Sequence, residues 1–143
     1  MITTNPYLFV YGTLLTAGNP YANYLQKHCK LVGAGKFKGS LYNIGEYPGA
    51  IGDITGKQYV YGCIYLMDDA ERVLTLIDGY EGIGVNEPQP HEYLRRLVGI
   101  ETDSGVFTCW VYLYNWPVRK ESKIAGGSYL EYINKRNQAK KIP

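Results

Sequence analysis

The sequence is poor in the residues that bind metals or form disulfides. It has three cysteines, Cys29, Cys63 and Cys109, and two histidines, His28 and His91. The cysteines are odd in number, widely spaced and without a Cys-x-x-Cys pair, and neither histidine has a Cys or carboxylate at a typical ligand spacing. We therefore expect reduced thiols, no zinc or other metal site and no cofactor.

Long apolar runs and a strong excess of one charge are also missing. The chain has 15 Lys and Arg against 13 Asp and Glu, so its net charge of +2 lacks the marked basic excess of a nucleic-acid surface. The apolar runs are too short to span a bilayer, and no signal-peptide pattern is present. We expect a cytoplasmic protein that binds neither nucleic acid nor a membrane. No repeat, linker or composition shift divides residues 1–143, which predicts a single domain.

Tyrosine and glycine are abundant, with 15 and 17 residues, and this favours strands, turns and amphipathic pocket walls. The first strand pattern, Tyr7-Leu8-Phe9-Val10-Tyr11-Gly12-Thr13-Leu14, breaks at Gly12. Glycine lets the backbone approach another group closely, and N–H groups left unpaired at a strand end can form a small anion or oxyanion site. An ordinary first strand followed by a turn fits the same pattern.

The remaining segments predict an alternation of strands and short helices. Helices are expected at Tyr21 to His28, at Asp69 to Ile77 with Asp68 as its cap, and from Ser128 to about Gln138. Strands are expected at Leu31 to Asn43, Tyr59 to Met67, Glu92 to Thr102 and Val106 to Trp116. The Gly45 to Ala50 segment fits either a plain loop or the lip of a pocket. The Arg119 to Lys123 segment is expected to be a solvated connection.

Glu81 lies in the sequence Asp78-Gly79-Tyr80-Glu81-Gly82, which is expected to follow the end of the second helix. A glutamate fixed between glycines can be catalytic, although a lone loop glutamate is more often only solvated. The loop from Ile83 to Glu92 contains two prolines and no periodicity. Because it follows Glu81 directly, we expect it to border any cavity at that residue.

Six motifs follow one another along the chain. They are Tyr11-Gly12-Thr13-Leu14, Gly39-Ser40-Leu41-Tyr42 with Tyr47-Pro48-Gly49-Ala50, Val60-Tyr61-Gly62-Cys63-Ile64-Tyr65, Ile77-Asp78-Gly79-Tyr80-Glu81-Gly82, Tyr93-Leu94-Arg95-Arg96 and Trp110-Val111-Tyr112. Together and in this order, from about Tyr7 to Tyr132, they resemble the γ-glutamylcyclotransferase-like proteins, which include the AIG2-like and γ-glutamylamine cyclotransferase groups.

The resemblance implies an α+β fold, a small mixed β-barrel with short helices packed outside. It implies that Glu81 is the catalytic residue and that Tyr11, Gly12, Thr13 and Leu14 hold the γ-glutamyl group of a substrate. Tyr47, Tyr93 and Arg95 are candidates for the cavity wall or for binding the substrate carboxylate. Taken singly, each of these three also fits a core aromatic or a surface arginine.

The reaction implied by the resemblance converts a γ-glutamyl amide to 5-oxoproline and a free amine, with the glutamate as general acid and base. It needs no metal. A non-catalytic module of the same fold that binds a small acidic or γ-glutamyl ligand is the alternative, since a fold does not fix a function. A carboxylate in the pocket favours the enzyme, because a pure binder of an anionic group gains nothing from it. The leaving amine stays open.

Overall fold

The computed structural model describes residues 4–16, 18–84 and 86–141. Within them the chain alternates strands with three helices and adds short 3₁₀ turns at Thr13–Leu15 and Lys120–Ser122. The elements are β1 Tyr7–Val10, α1 Pro20–His28, β2 Cys29–Asn43, β3 Pro48–Gly52, β4 Tyr59–Met67, α2 Ala70–Tyr80, β5 Tyr93–Thr102, β6 Gly105–Tyr114, β7 Lys123–Ile124 and α3 Tyr129–Lys141.

Five strands close into a barrel in the order β2, β4, β1, β6 and β5, and β5 returns to β2 through the pair Lys36 and Glu101. Four of these pairings are antiparallel, whereas β1 runs parallel to β6 with Leu8 opposite Trp110. Strands β3 and β7 lie outside the ring and pair with β2. The predicted α+β fold, a small mixed β-barrel with short helices, is therefore confirmed.

The first strand divides the core into two parts. Its residue Phe9 packs inside the barrel with Phe37 and Ile64, whereas its neighbours Leu8 and Val10 face the helices. This is the alternation expected of a strand that is buried on both faces. No helix in the described part of the chain combines the length and apolar character required to cross a bilayer.

The second helix differs from its predicted bounds at both ends. It begins after Asp69, whose side chain accepts a hydrogen bond from the Arg72 N–H at 3.2 Å, so the cap is Asp69 and the predicted cap Asp68 was wrong. The helix also continues beyond Ile77 to Tyr80, through Gly79. A single glycine weakens a helix without ending it, and the backbone adopts the left-handed conformation only at Gly82, with φ of +75°.

Two short strands were not predicted. Pro48–Gly52, which overlaps the Gly45 to Ala50 segment expected as a loop or pocket lip, forms β3 and pairs antiparallel with β2, with Ala50 opposite Leu41. Proline and glycine are typical of turns, but proline is tolerated at the first residue of a strand that lies at a sheet edge. The predicted connection Arg119 to Lys123 likewise leads into β7, which pairs with β2. The other predicted elements lie where expected, with end points shifted by a few residues.

Candidate active site

A cavity of about 270 Å³ opens where the chain leaves β1. It contains seven of the eight residues predicted from the sequence for the site: Tyr11, Gly12, Thr13, Leu14, Tyr47, Glu81 and Tyr93. The eighth, Arg95, is not among the lining residues. The rest of the wall is formed by Phe9, Val10, Pro48, Tyr80, Gly82, Glu92 and Tyr112.

One wall of the cavity is the tight turn that follows β1. A Cβ atom on Gly12 would lie only 2.7 Å from Cγ of Pro48, so the close approach of the turn to the start of β3 requires glycine. The Leu15 N–H donates to the Gly12 carbonyl at 2.9 Å and closes a 3₁₀ turn. The N–H groups of Thr13 and Leu14 have no acceptor within the described residues, as the first N–H groups of a helical turn normally lack one.

Glu81 also lines the cavity, and the end of α2 fixes its backbone. Its N–H donates to the Ile77 carbonyl at 2.9 Å, and the next two N–H groups, of Gly82 and Ile83, turn back to the carbonyls of Gly79 and Asp78 at 3.3 and 2.9 Å. This pair of reverse bonds is a Schellman motif. Glu81 is therefore the C-cap residue of α2 and is not part of a free loop.

The carboxyl group of Glu81 is a much weaker acid than a solvated glutamate. Burial, together with the negative charges of Glu92 and Asp78, raises its pKa from 4.5 to about 8. Desolvation disfavours the charged form, and each nearby carboxylate disfavours it further. A carboxyl group with a pKa near neutrality can both accept and donate a proton under physiological conditions.

Arg95 is committed to Asp78, behind the wall of the cavity. Its Nε donates to Asp78 at 2.8 Å and its Nη2 at 3.2 Å, and the guanidinium lies 4.5 Å from the ring centre of Trp110. Asp78 also accepts a hydrogen bond of 2.6 Å from the Tyr112 hydroxyl. Arg95, expected from the sequence at the cavity wall or at a substrate carboxylate, is therefore bonded to Asp78 and does not line the cavity.

Five tyrosines line the cavity, and four of them donate their hydroxyl protons to protein acceptors. Tyr11 donates to the Tyr112 carbonyl at 2.5 Å and Tyr93 to the Pro48 carbonyl at 2.6 Å. Tyr112 donates to Asp78, and Tyr47 makes a very short hydrogen bond to Glu92. The fifth, Tyr80, shares a hydrogen bond of 2.7 Å with the Thr13 hydroxyl.

Three polar lining residues were not predicted as site residues: Tyr80, Glu92 and Tyr112. Two of them lie within the motifs that carry the resemblance, in Asp78-Gly79-Tyr80-Glu81-Gly82 and Trp110-Val111-Tyr112, and could have been found there. Glu92 lies in no motif. The loop before it was expected to border the cavity, but of its described residues, 83–84 and 86–92, only Glu92 lines the wall.

Comparisons with known proteins agree with this architecture. The model of the family described as Gamma-glutamyl cyclotransferase, AIG2-like matches residues 8–131. No curated protein matches the chain. Among solved structures, YkqA from Bacillus subtilis is 26% identical with a TM-score of 0.71 over 94% of this chain, which spans only 43% of YkqA.

Two further solved structures match along most of both chains. The ytfP protein from Escherichia coli is 29% identical with a TM-score of 0.61, over 89% of this chain and 98% of that one. An AIG2-like protein from Mus musculus is 24% identical with a TM-score of 0.66, over 87% of each chain, and shares the fold. Since the family model covers most of the sequence, this chain belongs to the γ-glutamyl cyclotransferase, AIG2-like family.

Proposed function

We propose that this protein is a cyclotransferase that converts a γ-glutamyl amide to 5-oxoproline and a free amine. The observation that carries the proposal is one cavity with Glu81 on its wall, a raised pKa for that carboxyl group, and the Gly12 to Leu14 turn as another part of the same wall. Membership of the γ-glutamyl cyclotransferase, AIG2-like family supports the same reaction.

In this reaction the protein has to hold the substrate in a reactive conformation and to transfer protons. The α-amino nitrogen of the substrate attacks its own γ-carbonyl carbon, a C–N bond forms in a five-membered ring, and the original amide C–N bond breaks. Because nucleophile and electrophile belong to one molecule, the cavity acts mainly by holding the curled conformer. A cavity of about 270 Å³ is large enough to enclose a γ-glutamyl group.

Glu81 supplies the proton transfers in this proposal. As a carboxylate it takes a proton from the α-ammonium group, which frees the nitrogen lone pair for attack. As a carboxylic acid it then returns a proton to the departing amine, so the enzyme ends the cycle in its original state. A pKa of about 8 suits both steps near neutral pH, because neither protonation state is rare there.

The turn after β1 is suited to the charge that develops on the carbonyl oxygen during attack. The N–H groups of Thr13 and Leu14 lack protein acceptors within the described residues and are fixed by the turn before substrate arrives. Preorganised donors of this kind stabilise an oxyanion by roughly 3 to 4 kcal/mol. The absence of a side chain at Gly12 lets this turn lie close to Pro48.

Measuring 5-oxoproline release from a small panel of γ-glutamyl amides tests the proposal. We expect turnover by the parent protein and a loss of about 100-fold to 10,000-fold in Glu81→Gln, because glutamine keeps the size of the side chain but removes the base. Substrate affinity should persist. Glu87→Gln, which removes an exposed carboxylate outside the cavity, is the matched control and should retain parent turnover.

Two results would contradict parts of this proposal. If parent and variant both bind γ-glutamyl amides without releasing 5-oxoproline, the protein is a binding module of the same fold. If Glu81→Gln releases 5-oxoproline at the parent rate, the base is a different residue.

A further inference from the structure

Tyr80 connects the end of α2 to the turn after β1. Its hydroxyl oxygen lies 2.7 Å from the Thr13 hydroxyl oxygen and 3.1 Å from Nδ2 of Asn19. Its ring packs against that of Tyr21, with the ring centres 4.3 Å apart. Tyr80 directly precedes Glu81, and both residues line the cavity together with Thr13. The proposed base and the turn are thus joined by side chains that take no part in the proposed proton transfers.

Asn19 fixes the direction of the hydrogen bonds in this connection. As the N-cap of α1, its Oδ1 accepts from the N–H groups of Tyr21 and Ala22 at 2.8 and 3.2 Å. These two backbone donors determine which end of the side-chain amide is the oxygen. The NH₂ group therefore faces Tyr80, and because it can only donate, the Tyr80 oxygen accepts its hydrogen bond.

The proton of the Tyr80 hydroxyl then has one acceptor within the described residues, the Thr13 hydroxyl oxygen. Because Thr13 accepts this bond, its own hydroxyl proton has no acceptor in the part of the chain that the structure describes. The Thr13 carbonyl accepts from both the N–H and the hydroxyl of Thr16, at 3.1 and 2.6 Å, and this holds the residue in the turn. Thr13 is thus left with a hydroxyl donor on a residue of the cavity wall.

We propose that Asn19 and Tyr80 are positioning residues that orient the Thr13 hydroxyl as a hydrogen-bond donor to the γ-carbonyl oxygen of the substrate. The inference rests on the proposed function and adds to it a side-chain donor and the two residues that orient it. The carbonyl oxygen is the assigned acceptor because Thr13 also contributes one of the two N–H groups proposed to stabilise the oxyanion. A third fixed donor stabilises this oxygen further as it gains charge during attack.

Asn19→Asp tests the direction of the hydrogen bonds because it reverses them. Aspartate caps a helix as well as asparagine does, but both of its carboxylate oxygens are acceptors. The Tyr80 proton then turns to the new carboxylate, and the Thr13 proton turns to the Tyr80 oxygen and away from the substrate. We expect kcat for 5-oxoproline release to fall by about 10-fold to 100-fold with little change in KM, because the carbonyl oxygen becomes charged only in the transition state. Urea unfolding should show that stability is kept.

Two further variants separate the hydrogen bonds from an effect of the added charge. Thr13→Val removes the hydroxyl at nearly constant size and should lower kcat by a similar factor. Asn19→Asp added to Thr13→Val should cause no further loss, because no hydroxyl is left to redirect. Asn23→Asp adds the same charge at an exposed position one turn later in α1, and it should keep the parent turnover.

A rescue experiment tests the role of Tyr80. Tyr80→Phe keeps the ring that packs against Tyr21 but removes the oxygen to which the Thr13 proton would turn. Adding Tyr80→Phe to Asn19→Asp should therefore raise kcat above that of Asn19→Asp alone. A double variant that is slower than Asn19→Asp would overturn the inference, and so would parent kcat in Asn19→Asp. Either result would leave the cyclotransferase proposal intact. A rise in KM at constant kcat would overturn the assignment of the carbonyl oxygen.

A binding measurement covers the case in which the parent releases no 5-oxoproline and the proposed function fails. Calorimetry with γ-glutamylmethylamide then reports the affinity for an intact γ-glutamyl amide. Weaker binding by both Thr13→Val and Asn19→Asp, with no further loss in the double variant, would retain the Thr13 hydroxyl as an oriented donor. Parent affinity in either single variant, or no binding by the parent protein, would overturn the inference.

Discussion

Asp78 and Glu81 lie three residues apart at the end of α2, but only Asp78 has a cationic partner. Arg95 and Tyr112 both donate to Asp78, whereas Glu81 has no hydrogen-bond donor to its carboxyl group among the described residues. The two carboxyl groups consequently have different roles available to them. Asp78 forms an ion pair with Arg95. Its negative charge contributes to the raised pKa of Glu81 and so helps to keep that carboxyl group protonated near neutral pH.

The first prediction concerns this electrostatic link. In Asp78→Asn the negative charge near Glu81 is lost and the charge of Arg95 is no longer compensated, and both changes lower the pKa of Glu81. The rising limb of the kcat/KM profile should therefore move to lower pH, from its expected inflection at about 8. Asp103→Asn, in the exposed turn between β5 and β6, should leave the profile in place. An unchanged profile in Asp78→Asn would show that Glu81 is not the titrating group.

The second prediction concerns stability. The pKa of Glu81 is raised from 4.5 to about 8 on folding, so between these values the folded protein binds more protons than the unfolded chain. The contribution of this residue to stability is therefore lost as the pH rises through that window. Glu81→Gln has no such titration, and its stability relative to the parent should increase by on the order of 4 kcal/mol between about pH 5 and about pH 9.

Urea unfolding of the two proteins at about pH 5 and about pH 9 measures this difference, because all other titrating groups are shared and cancel. A difference that stays constant with pH would mean that the carboxyl group of Glu81 is solvated in the folded protein. The same experiment shows whether a loss of turnover in the variant comes from unfolding.

The third prediction concerns the turn after β1. In Gly12→Ala the new methyl group meets Cγ of Pro48 at 2.7 Å, so either the turn or the start of β3 must move. We expect a loss of about 10-fold to 100-fold in kcat/KM, because a misplacement of about 1 Å near the reacting groups can cost about 100-fold in rate. Gly52→Ala, at the other end of β3, has no atom within 4 Å of its new methyl group and is the control. Full activity in Gly12→Ala would show that the turn does not contact substrate.

The fourth prediction concerns the thiols. Cys63 and Cys109 both lie in segments that the sequence predicts as strands. Cys109 is completely buried, whereas Cys63 and Cys29 are partly buried. Burial raises the pKa of Cys109 to about 12 and that of Cys29 to about 11. We expect Cys109 to react with a thiol reagent only after unfolding, and more slowly than the other two in the native protein. Mass spectrometry of partly labelled protein identifies the order, and early labelling of Cys109 would contradict the position of β6.

The parts of the fold that follow from local sequence were predictable. Tyr59 to Met67 forms a strand because its apolar and β-branched residues suit a sheet, and the first strand ends at Val10, shortly before the change of pattern at Gly12. Pro48–Gly52 was not predicted as a strand because what makes it one is its pairing with β2, which the composition of the segment does not encode.

The same distinction applies to the site. Glu81 and the Gly12 turn were predicted because they lie in motifs. The position of Arg95 depends on Asp78, which belongs to a different element and comes into contact only in the folded chain. Glu92 enters the cavity for a similar reason, since Tyr47 reaches it from a distant part of the sequence. Pairs of this kind are properties of the tertiary structure.

The hydroxyl of Tyr11 accepts a hydrogen bond of 3.2 Å from the Ala50 N–H and donates one of 2.5 Å to the Tyr112 carbonyl, so it joins β3 to β6 beside the Gly12 turn. This part of the wall is thus tied together through main-chain atoms of two strands, which substitution of their own side chains does not remove. The side chain of Glu92, in contrast, is bonded only to another side chain, that of Tyr47. Substitutions should therefore change the cavity wall more easily at Glu92 than at the Gly12 turn.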